Sequence, residues 1–372
     1  MELGMISFGS LENDPATGRP VSTAQGIRNL VEAITLSEQV GLDWFGVGEH
    51  HTFTMPASSP ATVLAAAATA TKRIRLTSAI SVIGADDPVR VYQQFATLDA
   101  VSNGRAEIIA GRGSAAEPFR LFGHSLQDYD ALFAENYELL LKLDQSERIT
   151  WSGTFRAALE NAEVVPRPEQ AELPIWLGTN GNPNSVIRAA NLHSRIYFSI
   201  VGGDPVRLAP LVDLYREASE QTGTPLHKRT VGFGALGFIA DDGAAARDGF
   251  YQRMIERTND MGTTSRIPRN LYDRQVKPGG SFFIGNPEEV TARILTVHEQ
   301  LRPDRLGFES DWGRMPHRDL LRHIELLGTV VKPAVEREIG TAAIGLDGGP
   351  AHPAATPLEG SPVAGRARST GR

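Results

Sequence analysis

The sequence predicts an α/β fold, a closed parallel (β/α)8 TIM barrel. Eight short apolar runs recur along the chain, and helical patterns separate most of them. Parallel strands joined by right-handed crossovers need that spacing, and 372 residues hold eight such units. The competing open sheet calls for a glycine-rich phosphate fingerprint after the first strand, which "SFGSLENDPATGRP" lacks.

The first strand is expected over Leu3–Gly9, and a helix from Ser22 to Val40 stops at Gly41, a left-handed cap. Strand two (Asp43–Glu49) leads to a helix over Pro60–Thr71, and strand three (Ile74–Val82) to one over Pro88–Val101. Strand four (Arg105–Gly111) precedes a helix over Asp128–Leu143. Several helices open on Pro, whose missing N–H costs nothing in a first turn. Arg148–Pro168 alternates polar and apolar residues, so a small insertion hairpin is expected before strand five (Pro174–Thr179). Strand six (Arg195–Val201), a helix over Pro205–Thr222 and strand seven (Thr230–Ala240) follow. Gly262–Gly285 is long for a compact-domain loop and reads as a lid-like insertion before the helix Pro287–Leu301. Strand eight (Arg305–Asp311) and a helix over Asp319–Glu338 complete the barrel, expected to span residues 1–340. Residues 341–372, rich in Gly, Pro and Ala, are expected to be a disordered tail.

Composition narrows the function. A net charge of −7 argues against a nucleic-acid partner. With no cysteine, disulfides, thiolate nucleophiles and Cys-ligated metals are excluded. No run is long and apolar enough for a bilayer and no basic leader precedes one, so a cytoplasmic location is expected.

Function in a parallel barrel collects at the carboxyl ends of its strands. Strand two runs into Glu49, His50 and His51. A lone histidine there ordinarily bonds loop backbone. Two beside a carboxylate at a barrel mouth suggest a working site, and their spacing is not that of a His-Glu-x-x-His metal helix. Strand four ends in Gly111-Arg112-Gly113-Ser114, where glycines admit close approach and Arg offers a fork for phosphate. After strand five, Gly181, Asn182 and Ser185 stand where a helix begins, either as an anion site or with Asn182 or Asn184 as an ordinary cap. Phe8, Phe53, Phe119, Phe122, Trp176 and Trp312 are pocket candidates, with packing the commoner role for each.

"EHHTFT", "ISVIGADDPVRVYQQFATLDAVSNGRAEIIAGRGSAAEPFRLFG" and "MPHRDLLRHIELLGTVVKPAV" together resemble the bacterial luciferase-like flavin-dependent monooxygenases over residues 1–340. The resemblance implies FMN at the carboxyl end of the barrel. Reduced flavin and O2 would form a C4a-hydroperoxyflavin that oxygenates a small organic substrate. It assigns His50 to the reactive face of the ring, with Glu49 or His51 orienting it. Arg112, Ser114, Asn180, Gly181 and Asn182 fall to the phosphate, and Ala79 and Ile80 to a non-proline cis peptide under the flavin. A separate NAD(P)H:flavin reductase and a homodimer complete the expectation, and the Ala-rich "PATVLAAAATATK" reads either as barrel packing or as an isologous dimer face. The alternatives are an F420-dependent hydride-transfer oxidoreductase and a non-catalytic flavin-binding paralogue.

Overall fold

The computed structural model describes residues 1–113, 116–200, 202–260 and 266–340. Four strands open the chain: β1 (Glu2–Ser7), β2 (Trp44–Val47), β3 (Arg75–Val82) and β4 (Ala106–Gly111). Next come β5 (Arg148–Trp151) and β6 (Leu159–Glu163), then β7 (Ile175–Thr179), β8 (Arg195–Ile200), β9 (Val231–Ile239), β10 (Phe283–Gly285) and β11 (Arg305–Glu309). The ring runs β1-β2-β3-β4-β7-β8-β9-β11, every pair parallel, and closes where Glu2 registers with Arg305. The eight expected strands are these eight, so the fold is a (β/α)8 barrel. Strands β5 and β6 form the expected antiparallel hairpin as a sheet of their own.

Large side chains fill the barrel because small ones face them. Trp44, Trp176 and Tyr197 are buried inside, the indoles standing edge-on to the phenol ring. A Cβ on Gly307 would come within 2.4 Å of the Trp44 ring, and one on Gly232 within 2.5 Å of Tyr197, so only glycine fits opposite each. At the amino end, the Arg305 guanidinium lies between the two indoles, 5.0 and 4.9 Å from their centres. It donates to Glu107 at 2.5 and 3.1 Å and to Glu2 at 2.7 Å, and Arg75 also donates to Glu107. Burial pushes Glu107 up, but the charges of Arg305 and Arg75 outweigh it and hold the carboxyl well below the usual range.

The chain departs from expectation in three places. The segment read as a lid-like loop is largely structured: helix Arg269–Gln275 and β10, which extends β9 at Gly237–Ile239, lie within it. Tyr272 anchors that helix, fully buried with its hydroxyl donating to the Arg247 carbonyl at 2.6 Å. Residues 262–265 of the segment lie outside the described residues, as does the expected tail. An unanticipated helix, Gly243–Asp260, follows β9; it buries only Gly243, Ala246, Phe250 and Met254, too narrow a stripe to stand out among its charges. The last helix is not continuous: His317–Leu326 passes through a π turn at Leu327–Val331 into Lys332–Ile339. Pro333, with no N–H to give, falls just past that turn.

Candidate active site

A cavity of about 340 Å³ opens at the carboxyl ends of the strands, and all eight barrel strands or their exits line it. Strand β2 ends at Val47, and Gly48 continues it by donating to the Ser7 carbonyl at 2.9 Å. A Cβ on Gly48 would strike the Phe8 ring at 2.0 Å, so glycine lets Phe8 close over this exit. Asp311 holds Phe8 there, its Oδ2 accepting from the Ser7 hydroxyl and from the amides of Phe8 and Ser10 at 2.7–3.2 Å.

The three titratable residues after β2 divide their work. Glu49 accepts the Val82 N–H at 2.9 Å and meets His51 Nε2 at 2.9 Å, tying the exits of β2 and β3 together. Among the described residues, neither of them bonds the His50 ring. His50 instead stands edge-on to Phe8, ring centres 4.8 Å apart, and lines the cavity. Burial first, and the charge of Arg257 second, push its imidazole down to about 4. The ring is neutral at physiological pH and can accept a proton.

On the adjacent strand β3, whose Ile80 carbonyl accepts from the Glu49 amide at 3.2 Å, Ala79 and Ile80 join through a cis peptide bond, and the register of β3 against β4 shifts between Ala79 and Ser81. Both residues line the cavity, as do Arg112 and Asn180. The Arg112 guanidinium donates to Asp130 at 2.5 Å and lies 5.7 Å from the centre of the Tyr129 ring, whose hydroxyl donates to the Gly113 carbonyl. Gly181 and Asn182 sit one step beyond the lining. Their amides donate to Thr179 Oγ1 at 3.3 Å, and Asn182 caps the helix Pro183–Asn191. Ser114 lies outside the described residues. Of the aromatic candidates, Phe8 and Trp312 line the cavity, while Trp176 and Phe119 are buried as packing. Phe122 is half exposed against His51 and Phe53 is exposed.

Sequence reasoning missed three residues of this cavity. Glu309, at the end of β11, lines it; burial pushes its carboxyl up to about 7, against the pull of Arg257. Its place at the last expected strand end was signal enough to find it. Arg257 comes from the helix that the sequence did not reveal, and its guanidinium stacks 4.1 Å from the centre of the Trp312 ring. Tyr197 forms the floor, and its buried hydroxyl has no hydrogen-bond partner among the described residues. A second cavity, about 390 Å³, lies against the helix Pro287–Leu301 and shares no residue with the first.

Comparison with known proteins follows this geometry. The family model described as luciferase-like monooxygenase matches residues 1–302. Protein y4vJ of Sinorhizobium fredii is 27% identical over 333 residues, 86% of this chain and 94% of its own length. The F420-dependent glucose-6-phosphate dehydrogenase of Amycolatopsis mediterranei is 29% identical over 42% of this chain and 49% of its own. Among solved structures, the monooxygenase RslO1 from Streptomyces bottropensis superposes with a TM-score of 0.77 at 24% identity, covering 90% of this chain and 99% of its own. The oxygenating constituent of 3,6-diketocamphane monooxygenase from Pseudomonas putida, solved with FMN, gives 0.70 at 19%, covering 90% and 98%.

Proposed function

The chain belongs to the luciferase-like monooxygenase family, and on that premise we propose that it oxygenates a small organic substrate with reduced FMN and O2. The observation that carries this reading is one cavity lined by both a neutral imidazole, His50, and a guanidinium, Arg112. The residues suit a flavin. Gly111, Gly113 and Gly178 bring strand-end backbone to the cavity without side chains, and Phe8, Ile80 and Val82 offer apolar surface to a flat ring. Arg112 keeps guanidinium donors beyond the one given to Asp130, and Asn180 stands beside it.

Bound there, reduced FMN would supply the activation of O2. The chain's own residues do the rest. Arg112, with Asn180 and the Ser114, Gly181 and Asn182 backbone, would grip the phosphate, far from the reacting ring. The Ala79–Ile80 peptide would support the ring. His50 would accept a proton at its reactive face, a task for a ring held neutral. Glu49 and His51, coupled to each other, would fix the loop that carries His50. Apolar walls exclude water from the reacting atoms. A separate NAD(P)H:flavin reductase is the proposed source of reduced cofactor, and a homodimer the proposed assembly.

The F420 reading draws on the glucose-6-phosphate dehydrogenase relative, which matches less than half of this chain. Titrating the protein with reduced FMN and with reduced F420 separates the two. Tighter FMN binding, followed by O2 consumption that oxygenates a substrate, is expected; tighter F420 binding with hydride transfer overturns the oxygenase reading. Arg112→Ala should weaken FMN by about 1.5–3 kcal/mol through the lost charge-assisted contact. Unchanged affinity would move the phosphate elsewhere.

A further inference from the structure

Arg257, a cation in the cavity wall, forms no ion pair among the described residues. The carboxylates on its own helix are engaged elsewhere, Glu256 with Arg253 at 3.1 Å and Asp260 with Arg314 at 2.7 Å. Asp311, the chain neighbour of Trp312, spends Oδ2 on the loop after β1, and its buried Oδ1 has no hydrogen-bond partner among the described residues. Glu309 forms no ion pair with Arg257 among the described residues, and burial pushes that carboxyl up to about 7, so it is a weak neutraliser. Arg257 donates to the Met55 sulfur at 3.2 Å. Yet the guanidinium is held in place, stacked at 4.1 Å on the Trp312 ring, which fixes its plane and leaves its edge for a partner. A cation kept at the edge of an apolar cavity without an acceptor is costly, and a bound anion with a planar pair of oxygens relieves that cost. The phosphate proposed for the cofactor falls to Arg112, on the exit of β4, so Arg257 remains for another molecule.

We propose that Arg257 recognises a carboxylate on the substrate, so that the molecule oxygenated is a small organic acid whose apolar body lies against Trp312 and Leu236. This rests on the reading of the cavity as the site of oxygenation, but its test does not require turnover.

Binding of hexanoate and benzoate, and of their neutral counterparts hexanamide and benzamide, is measured by calorimetry on the full chain, with and without FMN. Wild type, Arg257→Gln and Arg257→Lys are compared, and FMN itself is titrated into each. The acids should bind wild type in preference to the amides. Arg257→Gln should weaken them about tenfold to a hundredfold and leave the amides unchanged. Arg257→Lys keeps the charge without the planar fork, so it should recover only part of the loss. FMN affinity should be the same in all three proteins, which also certifies their folding. Four results overturn the proposal: no acid binds wild type, acids and amides bind alike, Arg257→Gln binds the acids as wild type does, or Arg257→Gln loses FMN in the same proportion. The last would make Arg257 a cofactor ligand. Failure of wild type to bind FMN would overturn the cofactor reading alone, since the acid titration without FMN still decides the role of Arg257.

Discussion

Burial and the charge of Arg257 both disfavour the imidazolium form of His50, so its ring stays neutral down to about pH 4. Proton NMR of the histidine rings should therefore find one signal titrating near 4 that vanishes in His50→Asn. Arg257→Gln, which removes a repelling charge, should move that titration upward; an unmoved value would mean that burial acts alone. If His50 accepts a proton during turnover, His50→Asn should slow oxygenation by about a hundredfold to ten-thousandfold with FMN affinity unchanged. Equal turnover would remove it from the chemistry. Glu309 is shifted the opposite way, up to about 7. Bound flavin should report this as a spectral change near neutral pH that Glu309→Gln abolishes. Two groups in one cavity whose surroundings drive them apart, one losing its proton easily and one holding it, can serve as base and acid at the same pH. His50 was legible in the sequence because it sits at a strand end. Arg257 was not, since nothing in its flanking residues says that a helix turns it over the barrel mouth.

At the scale of elements, continuous apolar runs marked every barrel strand, because strands covered on both faces carry no polar alternation to blur them. Helices were less uniformly legible: Gly243–Asp260 spreads four buried residues over 18, among many charges, and was not found. Packing, not propensity, holds such a helix. The helix His317–Leu326 shows the same dependence through a polar group. His323 on it is fully buried, its Nδ1 accepting the Ile239 N–H at 2.9 Å, so the proton sits on Nε2, facing Ser310 Oγ at 2.9 Å. Burial pushes this imidazole down to about 3 from 6.5. Because the folded value lies below the unfolded one, the neutral ring contributes stability above pH 6.5 and loses it as pH falls towards 3. Urea unfolding should show a loss of up to about 1.4 kcal/mol per pH unit from this group across that window. His323→Gln should be less stable at pH 7 yet lose less on acidification; parallel wild-type and variant curves would remove His323 from the acid response.

Across the whole molecule, the two ends of the barrel treat charge in opposite ways. At the amino end, Arg305, Glu107, Glu2 and Arg75 are mutually bonded, and the guanidinium of Arg305 is covered by two indoles. At the carboxyl end, Arg257 and Glu309 both line the cavity, and among the described residues no ion pair joins them, although the Arg257 charge acts on the Glu309 carboxyl. Sequence alone could not reveal this contrast, because the partners at the amino end stand on strands far apart in the chain and meet only when the ring closes. It predicts opposite responses to the same chemical change. Glu107→Gln removes the buried carboxylate that Arg305 and Arg75 share, leaving Glu2 alone to face Arg305, and should destabilise the protein by about 3–5 kcal/mol at pH 7. Glu309→Gln removes a carboxyl that burial already disfavours in its charged form, so it should leave stability unchanged or raise it. Chemical denaturation of both variants at pH 7 tests the pair. A comparable loss in each would mean that Glu309 is as fully partnered as Glu107, and the carboxyl end would then be built for stability as much as for binding.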